Sequence, residues 1–273
     1  MRIDLHIHSN FSDSSRSPEE IVQIAKQREV GILSVCDHYT IGAYDQLEPL
    51  CHKANIGLAI GVELDINWEN DNYHVLAYNF DRNNSKMKNL IASQLDKSQG
   101  ECEDLIVNMS KDYPQLSFED YKSYIYPREK GGWKYIHYIA ARGAAETYQE
   151  ASNFFGKYFV PRPQNLEMPE FCSIVKQAGG IPVLAHPGYI YEDSPSDFIS
   201  TLKRMVESGI CGVECYYPSH SRETTDICVD FCHKNHLRIT GGCDCHGSFD
   251  TSEGFTIGAL NITADILDLR GIL

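Results

Sequence analysis

Histidine and carboxylate side chains recur at one short spacing in two distant parts of the sequence. His6 and His8 are separated by one residue in a short apolar run, and Asp244 and His246 repeat this spacing late in the chain. Side chains two apart on a β-strand point to the same side, so each pair can chelate a single ion. A ligand set of imidazoles and carboxylates without cysteine suits Mn, Fe or Zn rather than Mg or Ca.

Residues of the same types lie at the ends of other apolar runs. His38 follows the second run, Glu63 ends the third, His74 lies at the start of the fourth and His186 follows the fifth. In a parallel barrel the C-terminal ends of the strands converge on one face, where such folds place their chemistry. So many imidazoles and carboxylates would be costly to bring together without a cation to organise them. The pattern therefore predicts a divalent metal site.

The elements that would position these residues alternate along the chain. Seven strand-like runs are separated by helical segments, and Ser17 and Glu20 form a capping box at the start of the first helix. This alternation predicts a parallel sheet covered by helices. A mainly helical, aromatic-rich stretch interrupts it. We therefore expect an α/β fold, a distorted (β/α)7 barrel of residues 1–83 and 165–273, with a helical cap subdomain inserted at 84–164.

Composition limits the partners that the chain can bind. Its 273 residues include 24 Lys+Arg and 38 Asp+Glu, a formal net charge of −14. Nucleic-acid coats and anionic membrane surfaces favour cationic proteins, so we expect no membrane association and no stable nucleic-acid complex. The apolar runs are strand-sized and no secretory signal is visible. We therefore expect a cytoplasmic protein whose ten cysteines are reduced thiols.

Five motifs together resemble the PHP (polymerase and histidinol phosphatase) family of metal-dependent phosphoesterases. They are DLHIHS at 4–9, CDH at 36–38, GVE at 61–63, AHPG at 185–188 and GGCDCHG at 241–247. Within this family the chain is most similar to stand-alone nucleotide or oligonucleotide phosphatases that carry a helical insertion. The resemblance implies two or three divalent ions at a trinuclear site. One ion would be held by His6, His8, Glu63 and Asp244, a second by Glu63, His74 and His186, and a third by Asp13, His38 and His246.

The resemblance also implies a reaction. A water that bridges two metals loses a proton near neutral pH and becomes a nucleophile, and the metals offset charge on the phosphate. We expect hydrolysis of a small phosphate ester: a nucleotide, a 3',5'-bisphosphonucleotide or an oligonucleotide end. Histidinol phosphate and a cyclic phosphodiester of a sugar remain alternative substrates. A metal-binding accessory module without turnover is the alternative of a different class.

Candidate substrate contacts lie outside the metal ligands. His220 could be a general acid or a phosphate contact, or a surface histidine at the start of a helix. Arg222 could bind phosphate, or be a solvated helix charge. Relatives of this type commonly carry an Arg-Pro-His-like motif in the insertion, and the matching stretch here, WKYIHYIA at 133–140, has no arginine. His137, Lys134 and Arg142 are therefore candidates for its role, although lysine lacks the bidentate fork of arginine. The aromatic residues of the insertion could stack nucleobases or form the core of the cap.

Overall fold

The computed structural model describes residues 1–69, 71–163 and 166–273. Within these ranges the apolar runs form a seven-stranded sheet whose spatial order follows the chain. Its strands are β1 (Arg2–Ile7), β2 (Val30–Val35), β3 (Gly57–Trp68), β4 (Asp71–Tyr78), β5 (Ile181–Leu184), β6 (Gly212–Tyr216) and β7 (Arg238–Gly241). The predicted α/β fold class is confirmed.

The connections between strands are helical. Ser17 caps the first helix, with the capping box formed as predicted. The helices are α1 (Pro18–Gln27), α2 (Tyr44–Ala54), α3 (Ser85–Met109), α4 (Phe118–Ser123), α5 (Lys134–Ala141), α6 (Tyr148–Asn153), α7 (Phe155–Tyr158), α8 (Met168–Gln177), α9 (Gly188–Asp193), α10 (Phe198–Glu207) and α11 (Arg222–Asn235). Two 3₁₀ turns, Arg128–Lys130 and Ala264–Ile266, complete them.

The sheet is mixed, and the expectation of a wholly parallel sheet is wrong for β4. That strand is antiparallel to both β3 and β5, whereas the other neighbouring pairs are parallel. The physical reason is the short connection between Trp68 and Asp71, because a parallel crossover needs a dozen or more residues. Strand β3 also continues to Trp68, well beyond Glu63, which was predicted to end the third run. The first residues of β4 therefore lie beside the last residues of β3.

Backbone hydrogen bonds join the first strand to the segment that follows the last one. The N–H of His8 donates to Cys245 O at 3.2 Å, and the N–H of Asp244 donates to His6 O at 2.7 Å. These bonds close the sheet into a distorted barrel. They also bring the two ligand-bearing pairs of the sequence, which are more than 230 positions apart, into adjacent backbone.

Helices α3 to α7 lie between β4 and β5 and have a hydrophobic cluster of their own. Leu105, Ile106, Tyr121, Tyr138 and Ile139 are among its buried members. The division into a barrel and an inserted subdomain stays a prediction, and its boundary at 164 and 165 lies outside the described residues. Within the part of the chain that is described, no helix combines the length and the apolar character needed to cross a bilayer.

Candidate metal centre

The predicted metal ligands come together where strands end or turn. His6 and His8 stand at the end of β1, and Glu63 lies inside β3, where its N–H donates to Asp37 O. His74 can join them from the start of a strand because β4 is antiparallel to β3. His186 and Asp244 follow β5 and β7 with positive φ angles of 25° and 48°. Residues of these two types tolerate the left-handed region better than most, and here it turns the chain sharply at the strand end.

Four ligands form a compact group at the bottom of the site. His6 Nε2 lies 3.2 Å from both His8 Nε2 and Glu63 Oε2, and 3.4 Å from Asp244 Oδ1. His8 Nε2 lies 3.1 Å from Glu63 Oε2 and 3.0 Å from Asp244 Oδ1. Donor atoms bound tetrahedrally at about 2.0–2.1 Å from one ion would lie about 3.3 Å apart. The observed separations therefore fit a single divalent ion.

Glu63 directs its second oxygen to two further histidines. Its Oε1 atom lies 2.9 Å from His74 Nδ1 and 3.3 Å from His186 Nε2. The two oxygens of one carboxylate thus face two different sets of imidazoles. This is the placement expected of a carboxylate that bridges two ions.

Asp13 is the centre of the remaining group. Its Oδ2 atom lies 3.2 Å from His246 Nε2 and 3.9 Å from His38 Nε2, and its Oδ1 atom lies 3.4 Å from His8 Nδ1. His38 Nε2 is also 3.4 Å from Glu63 Oε2, so it lies between this group and the Glu63 carboxylate. All nine predicted ligands are therefore near neighbours; their role as ligands stays a prediction.

A cation would satisfy atoms that the protein leaves without hydrogen bonds. Asp244 Oδ1 is buried and makes no hydrogen bond to any described residue, although His8 Nε2 lies 3.0 Å away. Electron-pair donors that face each other in a buried site are costly unless a positive charge lies between them. The residues present therefore fit a divalent metal ion.

The electrostatics of the cluster lead to the same conclusion. Burial alone would lower the pKa of His6, but the carboxylates of Glu214, Asp244 and Glu63 raise it well above its usual range. Burial alone would raise the pKa of Glu63 and of Asp244, but the surrounding imidazoles hold both well below the usual range. The carboxylates are thus kept ionised by positive charge, which protons supply here and which metal ions can supply in their place.

A model of the PHP domain family matches residues 4–160. The chain belongs to the PHP domain family. A 5'-3' exoribonuclease from Haemophilus influenzae is 29% identical over 189 residues, which are 68% of this chain and 69% of that protein. A phosphoribosyl 1,2-cyclic phosphate 1,2-diphosphodiesterase from Eggerthella lenta is 24% identical over 261 residues, 90% of this chain and 94% of that protein. The chain spans 65 to 69% of the length of the curated exoribonucleases that it matches.

A solved structure shares the fold. The crystal structure of a candidate metal-dependent phosphoesterase from Bifidobacterium adolescentis superimposes with a TM-score of 0.79 at 24% identity, covering 99% of this chain and 95% of that one. This likeness confirms the predicted barrel fold, and the family model confirms the predicted family. Membership of the PHP family also confirms the predicted class of activity, a metal-dependent phosphoesterase.

The role of one carboxylate that supports this centre was not predicted from the sequence. Glu214 is fully buried in β6, and its oxygens accept hydrogen bonds from His6 Nδ1 at 3.0 Å and from the His186 N–H at 2.9 Å. The first bond fixes the His6 proton on Nδ1 and leaves Nε2 free to face the cluster. A lone glutamate in the apolar run GVECY was the available signal.

Two other polar residues orient ligands without being predicted to do so. Asp37 accepts hydrogen bonds from the Ser9 N–H at 2.7 Å and from the hydroxyls of Ser9 and Ser12 at 2.6 and 2.7 Å. These bonds hold the loop that carries Asp13. The Tyr217 hydroxyl donates to Asp244 Oδ2 at 2.9 Å, which leaves Oδ1 directed at the cluster. The motif CDH contained Asp37, but its spacing did not distinguish a ligand from a supporting residue.

His220 lies next to the centre with both ring nitrogens engaged. The Gly188 N–H donates to Nε2 at 3.0 Å, and Nδ1 lies 3.1 Å from Cys215 O. A backbone N–H can only donate and a carbonyl can only accept, so the ring is neutral with its proton on Nδ1. Burial also lowers the pKa of His220. Its role as an acid stays a prediction, and these bonds favour a positioning role for the loop after β5.

The structure does not bring Arg222 or His137 to the metal ligands. The Arg222 side chain is 95% exposed on α11, and its Nε lies 3.7 Å from Asp226 Oδ2. His137 is buried in the insertion, where Nε2 lies 2.6 Å from Gly131 O. That bond holds the loop that precedes α5.

The two cationic candidates of the insertion are engaged with groups of the insertion itself. Lys134 Nζ donates to Lys122 O at 3.2 Å. The Arg142 guanidinium binds both carboxylate oxygens of Asp120, with Nη2 at 2.8 Å from Oδ1. Neither side chain lines the cleft above the metal ligands, so the structure does not place them where the missing arginine was expected.

A cleft of about 1300 Å³ opens above the metal ligands. The barrel contributes one wall, which includes Tyr39 and Tyr217, and the insertion contributes another, which includes Trp133. The Trp133 ring lies 5.4 Å from the His38 ring, centroid to centroid, so the insertion contacts the centre directly. The cleft is large enough for a ligand of nucleotide size.

Proposed function

We propose that the chain hydrolyses a small phosphorylated substrate, the phosphate ester of a nucleotide, a bisphosphonucleotide or an oligonucleotide end, with two or three divalent ions. The ions, Mn, Fe or Zn, would be held by the nine predicted ligands. The observation that carries the proposal is Glu63, whose Oε2 faces His6 and His8 while its Oε1 faces His74 and His186. A carboxylate shared between two sets of ligands beneath an open cleft suits a multinuclear hydrolase.

The residues of the chain prepare this site for phosphate chemistry. When bound, the divalent ions would activate water and offset the charge of the phosphate oxygens. Glu214 holds His6 in the tautomer whose Nε2 can coordinate, and Tyr217 orients the Asp244 carboxylate. Trp133 closes one side of the cleft beside His38, which limits access of bulk water.

We also propose the domain division predicted from the sequence. Residues 1–83 and 165–273 would form the catalytic barrel, and 84–164 would form a cap that contacts the substrate. The separate hydrophobic cluster of the insertion supports this division. All ten cysteines are free thiols, which supports a reducing, cytoplasmic location.

A sugar cyclic phosphate is the second candidate substrate. The Eggerthella lenta relative that is named as a cyclic phosphate diphosphodiesterase aligns with 90% of this chain. No observation favours histidinol phosphate. The complete set of nine ligands counts against an accessory module without turnover.

The test uses metal-free protein that is reloaded with Mn²⁺ and offered phosphomonoesters, bisphosphonucleotides and cyclic phosphates. We expect His8→Ala and Asp244→Asn to lower turnover by several orders of magnitude and to reduce the number of ions per chain in elemental analysis. The matched control is His52→Ala, because His52 is exposed on α2. Circular dichroism verifies that each variant keeps its fold.

Two results would contradict the proposal. Near-wild-type turnover in either ligand variant would exclude the metal centre as the reaction site. Full metal loading of the wild-type protein without phosphate release from any ester would favour the accessory module.

A further inference from the structure

We infer that the cleft accepts phosphate monoesters whose leaving group is uncharged and aromatic, such as a nucleoside, and disfavours substrates that carry a second phosphate. This inference rests on the proposed function and narrows it. It is based on which side chains of the insertion and of the barrel rim line the cleft beyond the metal ligands.

Aromatic side chains of the insertion form one wall of the cleft. Trp133, Tyr135, Phe155 and Phe159 all line it. The Phe155 and Phe159 rings are stacked with centroids 4.0 Å apart, and the Tyr135 ring lies 6.0 Å from Phe155. Phe155 is nevertheless 38% exposed. A stacked aromatic pair that stays open to solvent in a cleft is suited to a planar apolar ligand.

Acidic side chains line another part of the cleft. Besides the ligand carboxylates, Asp71, Glu101 and Glu167 line the cleft. Glu69 lines it too, but its carboxylate is paired with Arg204 at 3.0 Å. These groups give the cleft a negative potential wherever no metal ion lies close by.

Positive charge is scarce among the described residues of this cleft. Lys97 is the one lysine or arginine that lines it, and Lys97 Nζ already lies 3.0 Å from Glu101 Oε1. Lys134 and Arg142, which could have replaced the missing arginine, are bound to groups of the insertion. A phosphate away from the metal ions would therefore meet carboxylates rather than a cationic fork.

The metal ions would neutralise one phosphate only, the one that is hydrolysed. The remainder of the substrate would lie between the aromatic wall and the acidic side chains, because both line the same cleft. A nucleobase gains stacking contacts there, whereas a 3'-phosphate gains repulsion. The cleft thus selects for a flat leaving group and against additional negative charge.

The experiment compares three esters on Mn²⁺-loaded enzyme: adenosine 5'-monophosphate, adenosine 3',5'-bisphosphate and ribose 5-phosphate. We expect kcat/KM for the monophosphate to exceed that for ribose 5-phosphate by about 10-fold or more, which lies in the range that stacking of one base supplies. We expect it also to exceed kcat/KM for the bisphosphate, because the 3'-phosphate would face the carboxylates of the cleft. Phe155→Ala should lower kcat/KM for adenosine 5'-monophosphate by about 5- to 100-fold and leave kcat/KM for ribose 5-phosphate unchanged.

Tyr148→Ala is the matched control. Tyr148 belongs to the same insertion and is 39% exposed, but it lies outside this cleft. The double variant Asp71→Asn/Glu167→Gln tests the charge argument. It should reduce the ratio of kcat/KM for adenosine 5'-monophosphate to kcat/KM for adenosine 3',5'-bisphosphate. Adenosine binding, measured by titration calorimetry, gives a readout that does not need turnover and should be lost in Phe155→Ala.

The outcomes separate this inference from the proposed function. Equal or faster hydrolysis of the bisphosphate would overturn the charge argument. An unchanged ratio of adenosine 5'-monophosphate to ribose 5-phosphate in Phe155→Ala would overturn the aromatic subsite. If no ester is hydrolysed by fully loaded protein, the proposed function fails, while adenosine binding and its loss in Phe155→Ala would still support the aromatic subsite.

Discussion

Replacement of Glu214 by glutamine should loosen two metal ligands at once. The carboxylate accepts one hydrogen bond from His6 Nδ1 and another from the His186 N–H, at 3.0 and 2.9 Å. A glutamine side chain has nearly the same shape but only one acceptor oxygen, so its amide group must face one of the two donors. One charge-assisted hydrogen bond is lost, which is worth about 1.5–3 kcal/mol.

This loss translates into a metal affinity that is about 10- to 100-fold lower, the usual effect of removing a group that orients a ligand. The assay is competition for Zn²⁺ between the metal-free protein and a chromogenic chelator. Glu207→Gln is the control, because Glu207 is an exposed glutamate at the end of α10. An affinity within twofold of wild type, in a variant with an intact circular dichroism spectrum, would show that His6 does not depend on Glu214 for its orientation.

Two further predictions concern single histidines. His220→Ala should lower turnover, because the loop at Gly188 loses a hydrogen bond. The shape of the pH dependence of kcat should stay the same. Loss of the basic limb of that pH profile would instead identify His220 as the general acid. In the metal-free protein, carboxylates outweigh burial and raise the pKa of His74 to about 10 and of His246 to about 9. Both are therefore protonated at pH 7.5 and must lose protons to a metal, so metal affinity should rise with pH up to about these values. Calorimetry in buffers of different ionisation enthalpy measures the protons released, and zero release would contradict these pKa values.

The clustering of the nine candidate ligands was predictable from the sequence because they lie at the ends of predicted strands. Strand periodicity places His6 and His8 on one side. Asp244 and His246 lie beyond the end of β7, and Asp244 has a positive φ angle, so strand periodicity does not account for their positions. The direction of β4 was not predicted, because the predicted third strand ended at Glu63, and the short connection that forces a hairpin was therefore not recognised. A longer strand assignment through Trp68 would have revealed it.

The substrate contacts were not predictable in the same way. Lys134 and Arg142 occupy helix α5 and its end, but where a long side chain ends depends on partners such as Asp120 that lie elsewhere in the sequence. His220 was placed correctly after the sixth strand, yet its hydrogen bonds depend on backbone groups at Gly188 and Cys215. Spacing rules identify the element that carries a residue, and tertiary packing decides what its side chain contacts.

The reversed direction of β4 has a consequence for how the protein can diversify. Because β4 starts at the predicted ligands, it ends at the opposite mouth of the barrel. Helix α3 must therefore lead back by about 18 Å, from Ser85 to Lys97, before the insertion can line the cleft. Every predicted ligand lies upstream or downstream of that excursion. Substitutions within the insertion can therefore change which molecule is recognised while all nine predicted ligands are retained.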